Sequence, residues 1–175
     1  MAGAPPGFTV WLTGLPSAGK STLAEAVAKQ LAAVILDGDE LRRAVCADLG
    51  FSVADRAENV RRIAALALEA ARGGAVAVVA AIAPLAEMRD AARAVHEAAG
   101  VRFVEVFVDA PLAVCAERDV KGLYAAQREG RLRGLTGVDA AYEPPVRPDV
   151  RVPTATLSLD ECVRLILSVA VPRFE

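Results

Sequence analysis

The residues with the clearest chemistry are Gly14-Leu15-Pro16-Ser17-Ala18-Gly19-Lys20-Ser21, which fit G-x-x-x-x-G-K-[ST]. Glycines let successive backbone N–H groups curl around phosphate oxygens, and a helix N-terminus adds its positive dipole end. Lys20 is a mobile point charge able to reach the β- and γ-phosphates, and Ser21 offers a hydroxyl to Mg²⁺. The loop therefore implies a nucleoside triphosphate and magnesium, but not the acceptor of the phosphoryl group. A second set is Asp37 and Asp39 in Asp37-Gly38-Asp39. Two carboxylates there can hold magnesium-bound water or take a proton from an attacking hydroxyl. The plainer alternative is an Asx turn in which Asp39 caps the next helix. Arg42 falls three residues on, on the same helical face. Phe51, Arg56 and Asn59 could stack on a base, bind a phosphate and read a base edge; each alone also fits core or solvated surface. Arg118, Lys121, Arg128, Arg131 and Arg133 could cover an anionic ligand, or form a solvated charge run. His96, the only histidine, is expected to be a surface or packing residue.

The elements that must position these groups follow from the hydrophobic periods. Phe8 to Thr13 reads as a strand running into the Gly-rich turn, and Lys20 to Leu31 as a helix. Val34 to Leu36 reads as a short buried strand. Asp55 is expected to cap a helix that ends at Gly73-Gly74. Ala75 to Ile82 has the continuous apolar character of a strand buried on both faces. Then come a helix (Glu87 to Ala99), a strand (Val101 to Val108), a helix (Leu112 to Arg118), a strand (Val150 to Val152) and a closing helix (Leu159 to Val169). Strands alternating with helices predict an α/β fold, a parallel sheet with helices on both faces. Lys121 to Pro148 is polar, rich in Arg and Gly, and weak in strand signal, as expected of a lid. The expected organisation is a loose tail over 1–7 and one domain over 8–175, with the lid at about 121–148.

Composition narrows the function classes. The 175 residues carry 20 Lys plus Arg against 22 Asp plus Glu, a net charge of −2. That balance argues against a general nucleic-acid binder. The most apolar stretch, Gly74 to Pro84, is too short to span a membrane. Three widely spaced cysteines, Cys46, Cys115 and Cys162, suggest buried thiols in a reducing cytosol rather than a disulfide frame or zinc site. Of the basic residues 17 are Arg and three are Lys: Lys20, Lys29 and Lys121. Lys20 and Lys121 sit where a slim ammonium can enter a crowded anionic site.

Over nearly its whole length the chain resembles the adenylyl-sulfate kinase family. The matching blocks are VWLTGLPSAGKSTLA from Val10, LDGDELR from Leu36, LGFSVADRAENVRRI from Leu49, and VFVDAPLAVCAERDVKGLYAAQREG with the later LTGVDAAYEPP. The resemblance implies a three-layer P-loop NTPase fold. It also implies transfer of the ATP γ-phosphoryl to the 3′-hydroxyl of adenosine 5′-phosphosulfate, giving PAPS and ADP in sulfate assimilation, in a cytoplasmic enzyme that is usually a homodimer. By position, Gly14 and Ser17 to Thr22, including Ala18, Gly19, Lys20, Ser21 and Thr22, would bind ATP with Arg118. Lys20, Asp39 and Lys121 would be catalytic, and Ser21 and Asp39 would organise Mg²⁺. Asp37, Asp39, Arg42, Phe51, Arg56, Asn59, Ile82, Ala83, Lys121, Gly134, Leu135 and Thr136 would meet the adenylyl sulfate.

The chain departs from the family pattern on the acceptor side. It reads Ala81-Ile82-Ala83-Pro84 where the family usually has Phe-Ile-Ser-Pro, so a phosphoenzyme at that serine position is excluded. Leu85 and Ala86 follow where Tyr or His, then Arg or Thr, are usual. Leu135 replaces an aromatic that would grip adenine opposite Phe51, a loss of about 1 kcal/mol. Glu40 stands where Asn is usual. Two alternatives therefore stay open: the same kinase acting on another nucleotide-linked anion, such as a nucleoside diphosphoramidate, or a nucleotide-binding regulatory pseudo-kinase.

Overall fold

The computed structural model describes residues 6–171, so most of the expected tail lies outside the described residues. Five strands form one parallel sheet in the order β2-β3-β1-β4-β5. They are β1 (Phe8–Thr13), β2 (Val34–Asp37), β3 (Val76–Ala80), β4 (Arg102–Asp109) and β5 (Val150–Pro153). The helices are α1 (Lys20–Leu31), α2 (Gly38–Ala44), α3 (Val53–Arg72), α4 (Ala86–Ala98), α5 (Leu112–Arg118), α6 (Leu123–Arg128) and α7 (Leu159–Ala170).

β1 lies at the centre, and its alternation divides the core. Val10 and Leu12 join α1 and α7 in one apolar cluster with Leu23, Val27 and Ile166. Trp11 faces the other side, packed with Val60, Ile63 and Met88 from α3 and α4. Its ring lies 5.8 Å from that of Phe103. The period of two in a pleated strand produces this split. Parallel strands buried on both faces place all their carboxyl ends along one edge, where an open α/β sheet forms its binding crevice.

Several local expectations need correction. The strand at Val34 is not buried: β2 is an edge strand, with Val34 46% and Ile35 41% exposed. The cap of α3 is Ser52, not Asp55. Asp55 is the third helical residue and completes a reciprocal capping box with Ser52, which satisfies two otherwise orphaned N–H groups. Asp37, not Asp39, caps α2, accepting from the N–H groups of Asp39 and Glu40. His96 is a packing residue: fully buried, its Nε2 lies 3.0 Å from Thr9 Oγ1 and its Nδ1 2.7 Å from the Ala92 carbonyl. Nor is the segment after Lys121 irregular throughout. It contains α6, whose first turn is held by Asp119 accepting from the N–H groups of Tyr124 and Ala125. All three cysteines are buried and unpaired. No helix among the described residues is long and apolar enough to cross a membrane.

Candidate active site

The loop from Gly14 to Gly19 leaves β1 and feeds α1. Gly14 has φ 157°, and a Cβ there would lie 2.5 Å from the Val108 carbonyl oxygen. Gly19, the residue before α1, has φ 109°, in the region that favours glycine. Ser17 also sits at positive φ, 62°, and its Oγ accepts from the Val120 N–H at 3.2 Å. The loop is braced from outside. Tyr124 donates its hydroxyl to the Pro16 carbonyl at 2.8 Å, and Thr154 donates to Ala18 at 2.7 Å. Arg118 donates to the carbonyls of Ala18 and Thr154. Thr154 lies outside every motif, and Tyr124, inside the KGLY block, has no local pattern that marks it as a brace of the loop.

Lys20 Nζ donates to the carbonyls of Gly14 at 2.9 Å and Leu15 at 2.7 Å. Burial pushes its pKa down to about 8, partly opposed by the nearby Asp39 carboxylate. Ser21 donates its hydroxyl to Asp37 Oδ2 at 2.7 Å, while Asp37 Oδ1 accepts the Asp39 N–H at 2.9 Å. Asp37 thus holds both the loop hydroxyl and the first turn of α2. Lys121 donates to Asp39 Oδ2, joining the carboxylate of α2 to the residue just after Val120. Both side chains are more than half exposed.

One cavity of about 490 Å³ brings these groups together. Ser17 to Thr22, Arg118 and Thr154 line it together with Asp39 and Lys121, and so do Arg42, Phe51, Arg56, Asn59 and the wall Ala81–Pro84. Arg42 packs its guanidinium 4.7 Å from the Phe51 ring centroid and donates to the Gly50 carbonyl at 2.6 Å. Asn59 Oδ1 is buried without a hydrogen-bond partner, an acceptor that a ligand donor would satisfy.

Not every expected residue lines the cavity. Gly14 and Asp37 lie behind it, acting through Lys20 and Ser21. Gly134 and Thr136 meet the site through Arg56, which donates to the Gly134 carbonyl at 2.7 Å and the Thr136 hydroxyl at 2.6 Å. Leu135 is 6% exposed, packs in one core cluster with Leu12 and Tyr124, and does not line the cavity. Of the five basic residues expected to cover an anion, only Arg118 and Lys121 line the cavity; Arg131 pairs with Glu129.

The donor set suits a hard cation. A hydroxyl and two carboxylates, Ser21, Asp37 and Asp39, are oxygen ligands of the kind magnesium takes alongside phosphate and water. Among the described residues no group of three or more His, Cys, Asp or Glu forms a cage of its own.

The family model for adenylylsulphate kinase matches residues 6–153. The chain belongs to that family. An adenylyl-sulfate kinase of Synechococcus sp. is 49% identical over 166 residues, covering 92% of this chain and 92% of that protein. The bifunctional enzyme CysN/CysC of Mycobacterium tuberculosis is 50% identical over 162 residues, 90% of this chain. The chain spans only 26% of that longer relative. A solved structure of the M. tuberculosis APS kinase CysC in complex with AMPPNP and APS superposes with a TM-score of 0.93 at 46% identity. It covers 96% of this chain and 99% of that one. Members of the adenylylsulphate kinase family are ATP-dependent phosphotransferases, and the cavity has the parts such an enzyme needs.

Proposed function

We propose that the protein transfers the γ-phosphoryl group of ATP to the 3′-hydroxyl of adenosine 5′-phosphosulfate, giving PAPS and ADP. The observation that carries this reading is one cavity lined by two sets of cationic groups, Lys20 with the phosphate loop and Arg42 with Arg56. Asp39 and Lys121 lie with them.

Phosphoryl transfer in line asks little covalent chemistry of the protein, so catalysis rests on positioning and charge neutralisation. Lys20 exchanges its two carbonyl partners for phosphate oxygens and balances charge on the β–γ bridge. Ser21 and Asp39, oriented by Asp37, would hold magnesium, which would supply neutralisation of phosphate charge. Asp39 accepts the proton of the attacking hydroxyl, and Lys121 sets the orientation of its carboxylate. Arg42 and Arg56 bind the acceptor's anionic groups, and Phe51 stacks on its base. Segment 121–148 serves as the lid of a single kinase domain, excluding water that would otherwise take the phosphoryl group. A cytoplasmic homodimer is the form in which we expect the enzyme to work.

A second reading is favoured by Ala81 and Ala83, whose small side chains line the acceptor half. They would also suit another nucleotide-linked anion, such as a nucleoside diphosphoramidate. Calorimetric titration with ADP and Mg²⁺ present separates the two. Tight binding of adenylyl sulfate supports the first, and binding of the phosphoramidate alone supports the second.

A further inference from the structure

The acceptor wall, Ile82-Ala83-Pro84, is held in an unusual way. Three successive carbonyl oxygens are each tied to a different element. Ile82 accepts from the Thr13 hydroxyl of β1 at 2.5 Å. Ala83 accepts from Arg89 of α4 at 2.7 Å. Pro84 accepts from the Glu143 N–H at 2.8 Å. Between the first two ties, Ala83 adopts φ 42°, a conformation that costs an L-residue energy and persists where its surroundings over-determine it.

The ties converge on the segment at Tyr142 and Glu143. Tyr142 places its hydroxyl 3.2 Å from Thr13 Oγ1. The Glu143 carboxylate accepts from the Ala86 N–H at 2.7 Å, where α4 has no cap of its own. The Glu143 carbonyl accepts from Arg89 at 2.6 Å. Arg89 is 3% exposed and donates its third bond to Glu105 at 3.0 Å. Further along, Asp149 accepts from Arg93 and from the Glu105 N–H, both at 2.7 Å. The far end of the expected lid is therefore tied to β1, α4 and the 82–84 wall, while its start is tied to the phosphate loop through Val120 and Tyr124 and to Asp39 through Lys121.

We infer that residues 142–143 form a strap that positions the acceptor wall, with Tyr142 and Glu143 as positioning residues for acceptor binding. The strap fixes the carbonyls of residues 82–84 on its own side and so sets the backbone surface that Ile82 and Ala83 present to the cavity. This rests on the acceptor assignment above, because it takes that half of the cavity to bind the acceptor. The nucleotide half is braced separately, by Arg118, Tyr124 and Thr154, so the strap acts on one substrate only.

The test uses the full chain with Tyr142→Phe, Glu143→Ala and, as the conservative variant, Glu143→Gln. Glu143 is exposed, so its variants are expected to fold. The expected result is a rise of about fivefold in KM for adenylyl sulfate in Glu143→Ala and Tyr142→Phe, the scale of one lost hydrogen bond. KM for ATP should stay within twofold, and Glu143→Gln should restore the acceptor KM. In the same proteins without substrate, amide hydrogen exchange over residues 85–88 should quicken in Glu143→Ala and not in Glu143→Gln. An unchanged acceptor KM, or equal rises for both substrates, overturns the strap. If the unmodified protein turns over no adenylyl sulfate, the acceptor assignment fails, and the exchange measurement decides the strap alone, unchanged rates refuting it.

Discussion

Lys20 makes nucleotide affinity pH-dependent in a direction that can be worked out. Burial holds its pKa at about 8 in the free protein. Triphosphate beside Nζ favours the charged form and raises that pKa. Binding therefore takes up a proton wherever the free lysine is neutral. Below pH 8 the ammonium is already present and affinity is flat. As pH rises through 8, the free protein must be reprotonated at an increasing cost, about 1.4 kcal/mol per unit. With a free value near 8 and a bound value well above 9, affinity falls about tenfold from pH 7 to pH 9. The assay is calorimetric titration of a non-hydrolysable ATP analogue with Mg²⁺ at pH 7, 8 and 9, in buffers of different ionisation enthalpy to count protons. Lys20→Met should bind more weakly with a flat profile over that range. Equal affinity at pH 7 and 9 in the unmodified protein, or the same slope in Lys20→Met, would refute the reasoning.

Three further outcomes follow from the geometry. Asp39→Asn should lower kcat by about 10²–10⁴-fold, the usual contribution of a general base, while ATP binding measured by titration is kept; near-normal turnover would remove Asp39 as base. Arg56→Ala breaks the bonds to Phe51, Gly134 and Thr136. It should raise the acceptor KM at least about tenfold with KM for ATP little changed, since bonds from a charged group are among the stronger ones. His96 is pushed below its ordinary pKa by burial. The unfolded chain then takes its proton first, so chemical denaturation should show stability falling as pH drops below about 6.5, and a slope no shallower in His96→Gln would count against this.

The legible part of the protein was the part written in local pattern. G-K-S between a strand and a helix fixed the phosphate loop, and apolar periods located α7 to within a residue and the end of α3 at Gly73. Ser52 and Asp55 are both capping residue types, and the reciprocal box that makes Ser52 the cap and Asp55 the third helical residue shows only in the folded structure. Val34-Ile35-Leu36 read as buried because strand composition does not reveal position in the sheet, and β2 lies at its edge. The braces of the site were not legible. Thr154 meets Ala18 across 136 positions and Tyr142 meets Thr13 across 129. Such pairs leave no periodicity in either segment. Leu135, matched to an adenine-facing position, packs in the core cluster and is not among the cavity's lining residues.

The central claim concerns the acceptor, and steady-state ADP release by the purified protein with ATP and Mg²⁺ tests it most directly. The account predicts little release without an acceptor, strong stimulation by adenylyl sulfate, and one 3′-phosphorylated product for each ADP. No stimulation by adenylyl sulfate, with stimulation by another nucleotide-linked anion, would contradict it.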